Sequence, residues 1–233
     1  MSTADLASAG SLESLVKQTE AEIAPVFSRM DSTAFQNTER VADAFAKHRV
    51  SEAHFMATTG YGYDDNGRIT LDAVFADALC APAALVRPHF MNGTHAIACA
   101  LYGALRAGDT LLCATGLPYD TLRPVIFGEG CGSLKDYGVQ TEVADFLEPD
   151  ESFDPAAHAE RLRQACRSIR PKAALLQRSR GYSLRPALSV EALDALAALI
   201  KAESPETIVI VDNCYGEFTE SREPDTRGPV DLI

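Results

Sequence analysis

The sequence is short of several things, and each shortage excludes a class of function. It has no apolar run near the roughly 18 residues that a membrane span requires. It has 21 Lys and Arg against 33 Asp and Glu, a net charge of −12, so the basic surplus that nucleic-acid binding needs is missing. The expectation is therefore a protein with neither membrane nor nucleic acid among its partners. The six cysteines, at 80, 99, 113, 131, 166 and 214, include no Cys-x-x-Cys pair and no Cys/His grouping with zinc spacing, so no metal site is expected. Met1 to Gly10 is small and polar and carries Asp5, without the basic start and apolar block of a signal peptide. Reduced thiols and a cytoplasmic location are expected. Cys80, Cys99 and Cys113 lie in apolar runs and read as core residues. Gly-x-Gly-x-x-Gly and the P-loop pattern are also missing. Gly60 and Gly62 have no third glycine and no strand before them, so a nucleotide-binding fold has little support.

What is present reads as a globular α/β protein. The 233 residues are 46% hydrophobic and 23% charged, which suits a chain with a sizeable core. Residues 11 to 49 carry helical spacing in two blocks, interrupted at Pro25 and restarted at Asp31 or Ser32. Residues 1–57 are read as an N-terminal helical arm outside the main domain, which covers 58–233. A loop at 58 to 68 contains the turn signal Asn66-Gly67, and Asp64 and Asp65 read as turn formers. A helix from Thr70 to Leu79 follows. From Ala83 the pattern alternates. Strands are expected at Ala84–Val86, Thr110–Cys113, Thr141–Phe146, Ala173–Gln177 and Thr207–Asp212. Helices are expected at Gly93–Leu105, Tyr119–Phe127, Pro155–Ile169 and Val190–Ala202. Strand and helix in alternation predict a mostly parallel sheet wound by helices.

Ligands of such sheets sit beyond the carboxyl ends of the strands. Four segments fall there. Asn92-Gly93-Thr94 opens a helix, whose free first-turn N–H groups and dipole suit a phosphate. Tyr119 can stack on a flat ring. Asp212 can pair with a protonated ring nitrogen. Arg178, Arg180 and Arg185 are candidate anion clamps. Taken singly, each has an ordinary structural reading: a helix cap, a loop aromatic, a chain turn, a solvated basic loop. In this order on an α/β sheet, they are the parts of a pyridoxal 5′-phosphate site.

The segments GYGYDDNGR, ALVRPHFMNGTHAI, GDTLLCATGLPYDTL, GSLKDYG, QRSRGYSLRP and VDNCYGEFTE resemble the methionine gamma-lyase-like family, also called aluminium resistance proteins. These belong to the Cys/Met-metabolism group of fold-type I pyridoxal 5′-phosphate enzymes. The resemblance implies a PLP-binding large domain and a carbon–sulfur lyase using elimination chemistry on a small amino-acid substrate. It implies that Asn92, Gly93 and Thr94 meet the phosphate, that Tyr119 stacks on the ring and that Asp212 pairs with the ring nitrogen. Asp212 and Tyr119 are then the catalytic candidates. Ser179 or Arg180 would face the ring hydroxyl, and the role of His95 stays open. Tyr61 and Tyr63 would reach the phosphate of a neighbouring subunit, which implies a homodimer or homotetramer.

The family holds its cofactor on a lysine that follows the strand-end aspartate. The five lysines here are Lys17, Lys47, Lys135, Lys172 and Lys201, and none follows Asp212. The chain stops at the apolar Val230-Asp231-Leu232-Ile233. The expectation is a large domain incomplete at its C-terminus, with the small domain and the Schiff-base lysine absent. The alternatives are a fold-type I aminotransferase or decarboxylase, or a non-catalytic binding protein that lacks the lysine.

Overall fold

The structure is a computed structural model and describes residues 12–59, 61, 63, 65–144 and 154–233. It opens with one long helix, α1 (Leu12–Lys47), rather than two. The break expected at Pro25 does not occur. Proline removes one N–H and crowds the carbonyl four residues back. Here the helix around Ala21 and Pro25 is exposed, so water can take that carbonyl. Along α1 only Asn37 and Ala44 are buried. Ala44 and Val41 pack on Val74 and Ala78 of α2 (Asn66–Ala78). Lys47 and His48 both reach Asp77 of α2, at 2.8 and 2.5 Å.

Helix α2 starts earlier than its apolar pattern predicts. Asp65 caps it by accepting from Arg68 N at 3.1 Å, so Asn66-Gly67 forms the first turn instead of a loop. Asp64 lies outside the described residues. The strand expected at Ala84–Val86 is absent. That segment joins no sheet; Asp72 accepts the Val86 N–H at 2.7 Å and the Arg87 guanidinium at 2.6 Å. Cys80 and Cys99 are exposed, against the expectation of core packing, while Cys113 and Cys166 are buried. Cys80 ends the turn after α2 with a φ of 57°.

The remaining elements alternate as read. They are α3 (Gly93–Ala104), β1 (Thr110–Cys113), α4 (Arg123–Phe127), β2 (Gln140–Val143), α5 (Pro155–Ile169), β3 (Ala173–Gln177), α6 (Val190–Glu203) and β4 (Ile208–Asp212). Helix α4 is shorter than expected. Residues 119–122 form a turn in which Leu122 and Arg123 both donate to the Tyr119 carbonyl, and Pro124 then sits in the first turn. The expected end of β2 at Phe146 falls outside the described residues.

The four strands lie in the order β2-β1-β3-β4, all parallel. In β1, β3 and β4 side chains alternate between two buried faces. Leu111, Cys113, Ala173, Leu175 and Ile210 face Leu101 and Leu105 near the end of α3 and Leu122 and Ile126 around α4. Leu112, Ala174, Leu176, Val209 and Val211 face Leu162 and Cys166 of α5 and Leu193, Ala197 and Ile200 of α6. Each fully buried Leu or Ile contributes roughly 1.5–3 kcal/mol. The result is a three-layer α/β architecture around a parallel sheet, as the sequence pattern predicts. Residues 230–232 run beside β4, with Leu232 bridged in parallel to Ile210.

Candidate functional site

The register of β3 and β4 places Gln177 directly opposite Asp212 at the carboxyl end of the sheet. A cleft of about 990 Å³ opens there. Its walls bring together Asn92, Gly93, Thr94, Tyr119, Ser179, Arg180 and Asp212. Tyr61 and Tyr63 are not in this wall and stand exposed.

At one end lies the N-terminus of α3. Asn92 caps it by accepting from His95 N at 2.8 Å. The carbonyl of Asn92 takes the N–H of Ala96. The N–H groups of Gly93 and Thr94 precede the first intrahelical bonds and point out of the helix end. A Cβ placed on Gly93 would meet nothing within 4 Å, so the cleft is open up to the backbone. Thr94 Oγ1 lies 3.0 Å from Tyr119 OH and 3.0 Å from Thr121 Oγ1. His95 Nδ1 accepts from Met91 N at 3.2 Å, and its ring stands edge-on to Phe90 at 6.1 Å. It serves the helix start and does not line the cleft.

Tyr119 is fixed from behind. Its N–H donates to Gln177 Oε1 at 2.9 Å, and Gln177 Nε2 donates to the Ser179 carbonyl at 2.9 Å. Burial pushes the Tyr119 phenol above its ordinary range, so it stays protonated. At the other end, Asp212 is buried and accepts from Cys214 N at 3.1 Å. Burial pushes its carboxyl up to about 6, against the Cys214 hydrogen bond, and the charge of Glu217 adds to the rise. A desolvated carboxylate with so little support is a ready partner for a cationic N–H.

The arginines divide differently from the expectation. Arg178 is buried and spends its guanidinium on Asn213, Gly216, Thr219 and Glu220. Arg185 is also buried and donates to the carbonyls of Gln177, Ser179 and Pro186. Burial lowers it to about 10. Both hold the fold of the strand-end loop, because the carbonyls of that turn need donors where water is excluded. Arg180 is exposed and lines the cleft. Gln177 and Thr121 carry no role in the sequence reading. A polar residue ending the otherwise apolar, fully buried strand β3 is the signal that could have found Gln177.

None of the five lysines lines the cleft. Lys17 pairs with Glu13, Lys47 with Asp77, Lys135 with Glu129 and Lys201 with Asp231. Lys172 precedes β3, at the end of the sheet away from Asp212. Among the described residues no group of His, Cys, Asp and Glu is arranged to hold a metal ion.

Residues 12–233 match the methionine gamma-lyase family. The chain belongs to that family. It is 41% identical over 219 residues to the uncharacterised protein YnbB of Bacillus subtilis (strain 168), covering 91% of this chain and 50% of that one. It is 40% identical, with a TM-score of 0.83, to a Listeria monocytogenes structure described as a candidate cystathionine beta-lyase involved in aluminium resistance. That match covers 93% of this chain and 54% of the other. A carbon–sulfur lyase involved in aluminium resistance from Clostridium novyi NT is 37% identical, with a TM-score of 0.81, over 93% of this chain and 51% of its own. The fold extends to a pyridoxal-5′-phosphate dependent protein, YhfS of Escherichia coli, at 22% identity and a TM-score of 0.58, over 81% of this chain and 46% of that one. This is the fold-type I architecture of pyridoxal-phosphate enzymes. The chain spans about half the length of these relatives. No described helix is long and apolar enough to cross a membrane.

Proposed function

We propose that this chain forms the pyridoxal 5′-phosphate cradle of a carbon–sulfur lyase that acts on a small amino-acid substrate by elimination. The observation that carries the reading is one cleft with a helix N-terminus at one end and a buried strand-end carboxyl, Asp212, at the other. The residues fit the group. The open backbone at Gly93 leaves room for a phosphate, and Asp212 sits desolvated where a ring N–H would come.

When bound, the cofactor supplies an electron sink for a carbanion at the substrate α-carbon. The residues of this chain do the holding. Gly93 and Thr94 offer N–H groups to the phosphate, reinforced by the α3 dipole and the Thr94 hydroxyl. Tyr119 presents its ring to the pyridine face and is kept in place by Gln177. Asp212 accepts the ring N–H and keeps the proton at that nitrogen, which maintains the sink. Ser179 and Arg180 are the groups available to the ring hydroxyl. Tyr61 and Tyr63, exposed here, would serve the phosphate of a neighbouring copy in a homodimer or homotetramer.

The test is titration of the chain with pyridoxal 5′-phosphate, followed by borohydride and peptide mass spectrometry. Saturable binding with no lysine modified is expected, because no lysine faces the cleft. Absence of saturable binding, or a modified lysine among the five, would contradict the proposal.

A further inference from the structure

Beyond Asp212 the chain folds into a tightly bonded knot, of which Arg178, Gly216, Thr219 and Glu220 also line the cleft. Arg178 is its hub. Nη1 donates to Asn213 Oδ1 at 2.8 Å and to the Gly216 carbonyl at 2.7 Å. Nη2 donates to Glu220 Oε1 at 2.5 Å and to Thr219 Oγ1 at 3.2 Å. A planar fork of donors suits this set of acceptors, and an ammonium on the same site would reach only part of it. Gly216 allows the approach: a Cβ there would lie 2.3 Å from Arg178 Cδ.

A second buried charge closes the knot. Glu223 accepts from Asn213 Nδ2 at 2.8 Å and from Phe218 N at 2.7 Å. Asn213 is thus gripped from both sides, by Arg178 and by Glu223. It stands between Asp212 and Cys214, and the Cys214 N–H is the donor that orients the Asp212 carboxyl. Phe218 has a φ of 58°, an uncommon conformation for a side chain of its size, so its neighbours must hold it there.

Besides Glu223, those neighbours come from α1. Asn37 Nδ2 donates to the carbonyl of Phe218 at 2.7 Å and of Glu220 at 3.0 Å. Arg40 donates to the Ser221 carbonyl at 2.9 Å and stands 5.7 Å over the Phe218 ring. The phosphate end of the cleft, on α3, takes no bond from this knot.

We propose that Arg178 and Glu223 are positioning residues, and that α1, through Asn37 and Arg40, couples its own seating to the aim of Asp212 at the cofactor ring. The inference rests on the cofactor reading above. It states that loosening the arm weakens the grip on the ring and spares the grip on the phosphate.

The test compares the wild-type chain with the double variant Asn37→Ala/Arg40→Ala, whose sites lie outside the cleft, and with Arg178→Lys. Calorimetric titration with pyridoxal 5′-phosphate across pH 5 to 8 is run beside titration with inorganic phosphate. For both variants the expected result is at least a tenfold weaker affinity for the cofactor, less than a twofold change for phosphate, and a moved pH midpoint of cofactor binding. A purely structural role would lower the melting temperature and leave the pH midpoint in place. Should the double variant fold and bind the cofactor with wild-type affinity and midpoint, the coupling is wrong. Should the wild-type chain itself fail to bind the cofactor, the cofactor reading falls and takes this inference with it.

Discussion

Asp212 is kept buried at the expense of the fold. Its carboxyl titrates at about 6 rather than 3.8, chiefly because it is buried. The protonated form is thus favoured more in the folded chain than in the unfolded one. Whatever stability this gives is complete below the unfolded value and is lost as pH rises through the folded one. Above pH 6 the folded chain bears the cost of an ionised buried group, on the order of 3 kcal/mol. Asp212→Asn keeps an acceptor for the Cys214 N–H and removes the charge. The variant is expected to melt several degrees higher than wild type at pH 8, with no gain at pH 4, and to bind pyridoxal 5′-phosphate at least tenfold more weakly at pH 8. Thermal denaturation at the two pH values, with a cofactor titration, checks both. At this scale the sequence was legible where a residue works through its position on an element. Asp212 ends a β-branched run, and Asn92-Gly93-Thr94 opens a helix. Arg178 is only a candidate anion clamp by pattern, and the acceptors that engage its guanidinium are distant in sequence. Glu220 lies 42 residues further on, and nothing local pairs the two.

Among the elements, the caps and the central strands carry most of the placement. Asn92 both starts α3 and keeps its first turn aimed into the cleft. Asn92→Ala should cost about 1 kcal/mol of stability and lower affinity for the cofactor phosphate. Urea denaturation and phosphate competition would show the two effects separately. Ile200 of α6 is fully buried against the sheet and does not line the cleft. Ile200→Ala should cost roughly 2–5 kcal/mol with cofactor affinity unchanged in the fraction that remains folded. Strands β1, β3 and β4 were readable because both faces of each are buried, which gives short continuous apolar runs. The segment at Ala84–Val86 has the same composition, yet its N–H goes to the Asp72 side chain, a contact no pattern announces. Likewise Pro25 is a breaker by propensity, but an exposed helix tolerates it.

For the molecule as a whole, the arm, the sheet and the cleft form a linked system. The arm helix is seated on α2 through Ala44, and it reaches the knot beneath Asp212 through Asn37 and Arg40. The first half of α1 exposes Leu12, Val16, Val26 and Phe27, and Met30 follows just beyond it. If Tyr61 and Tyr63 serve a neighbouring site, the chain in solution should have at least twice the monomer mass of 25.0 kDa by light scattering. Tyr61→Phe/Tyr63→Phe should then weaken cofactor binding without altering that mass. A monomer with full cofactor affinity would remove the shared-site proposal and leave the cleft unchanged. The proposed cofactor cleft is tested most directly by a crystal structure of the chain with pyridoxal 5′-phosphate. Phosphate oxygens are expected within about 2.7–3.2 Å of the Gly93 or Thr94 nitrogen, with the ring against Tyr119 and the ring nitrogen bonded to Asp212. A cofactor bound elsewhere, or bound here with its ring nitrogen turned away from Asp212, would contradict it.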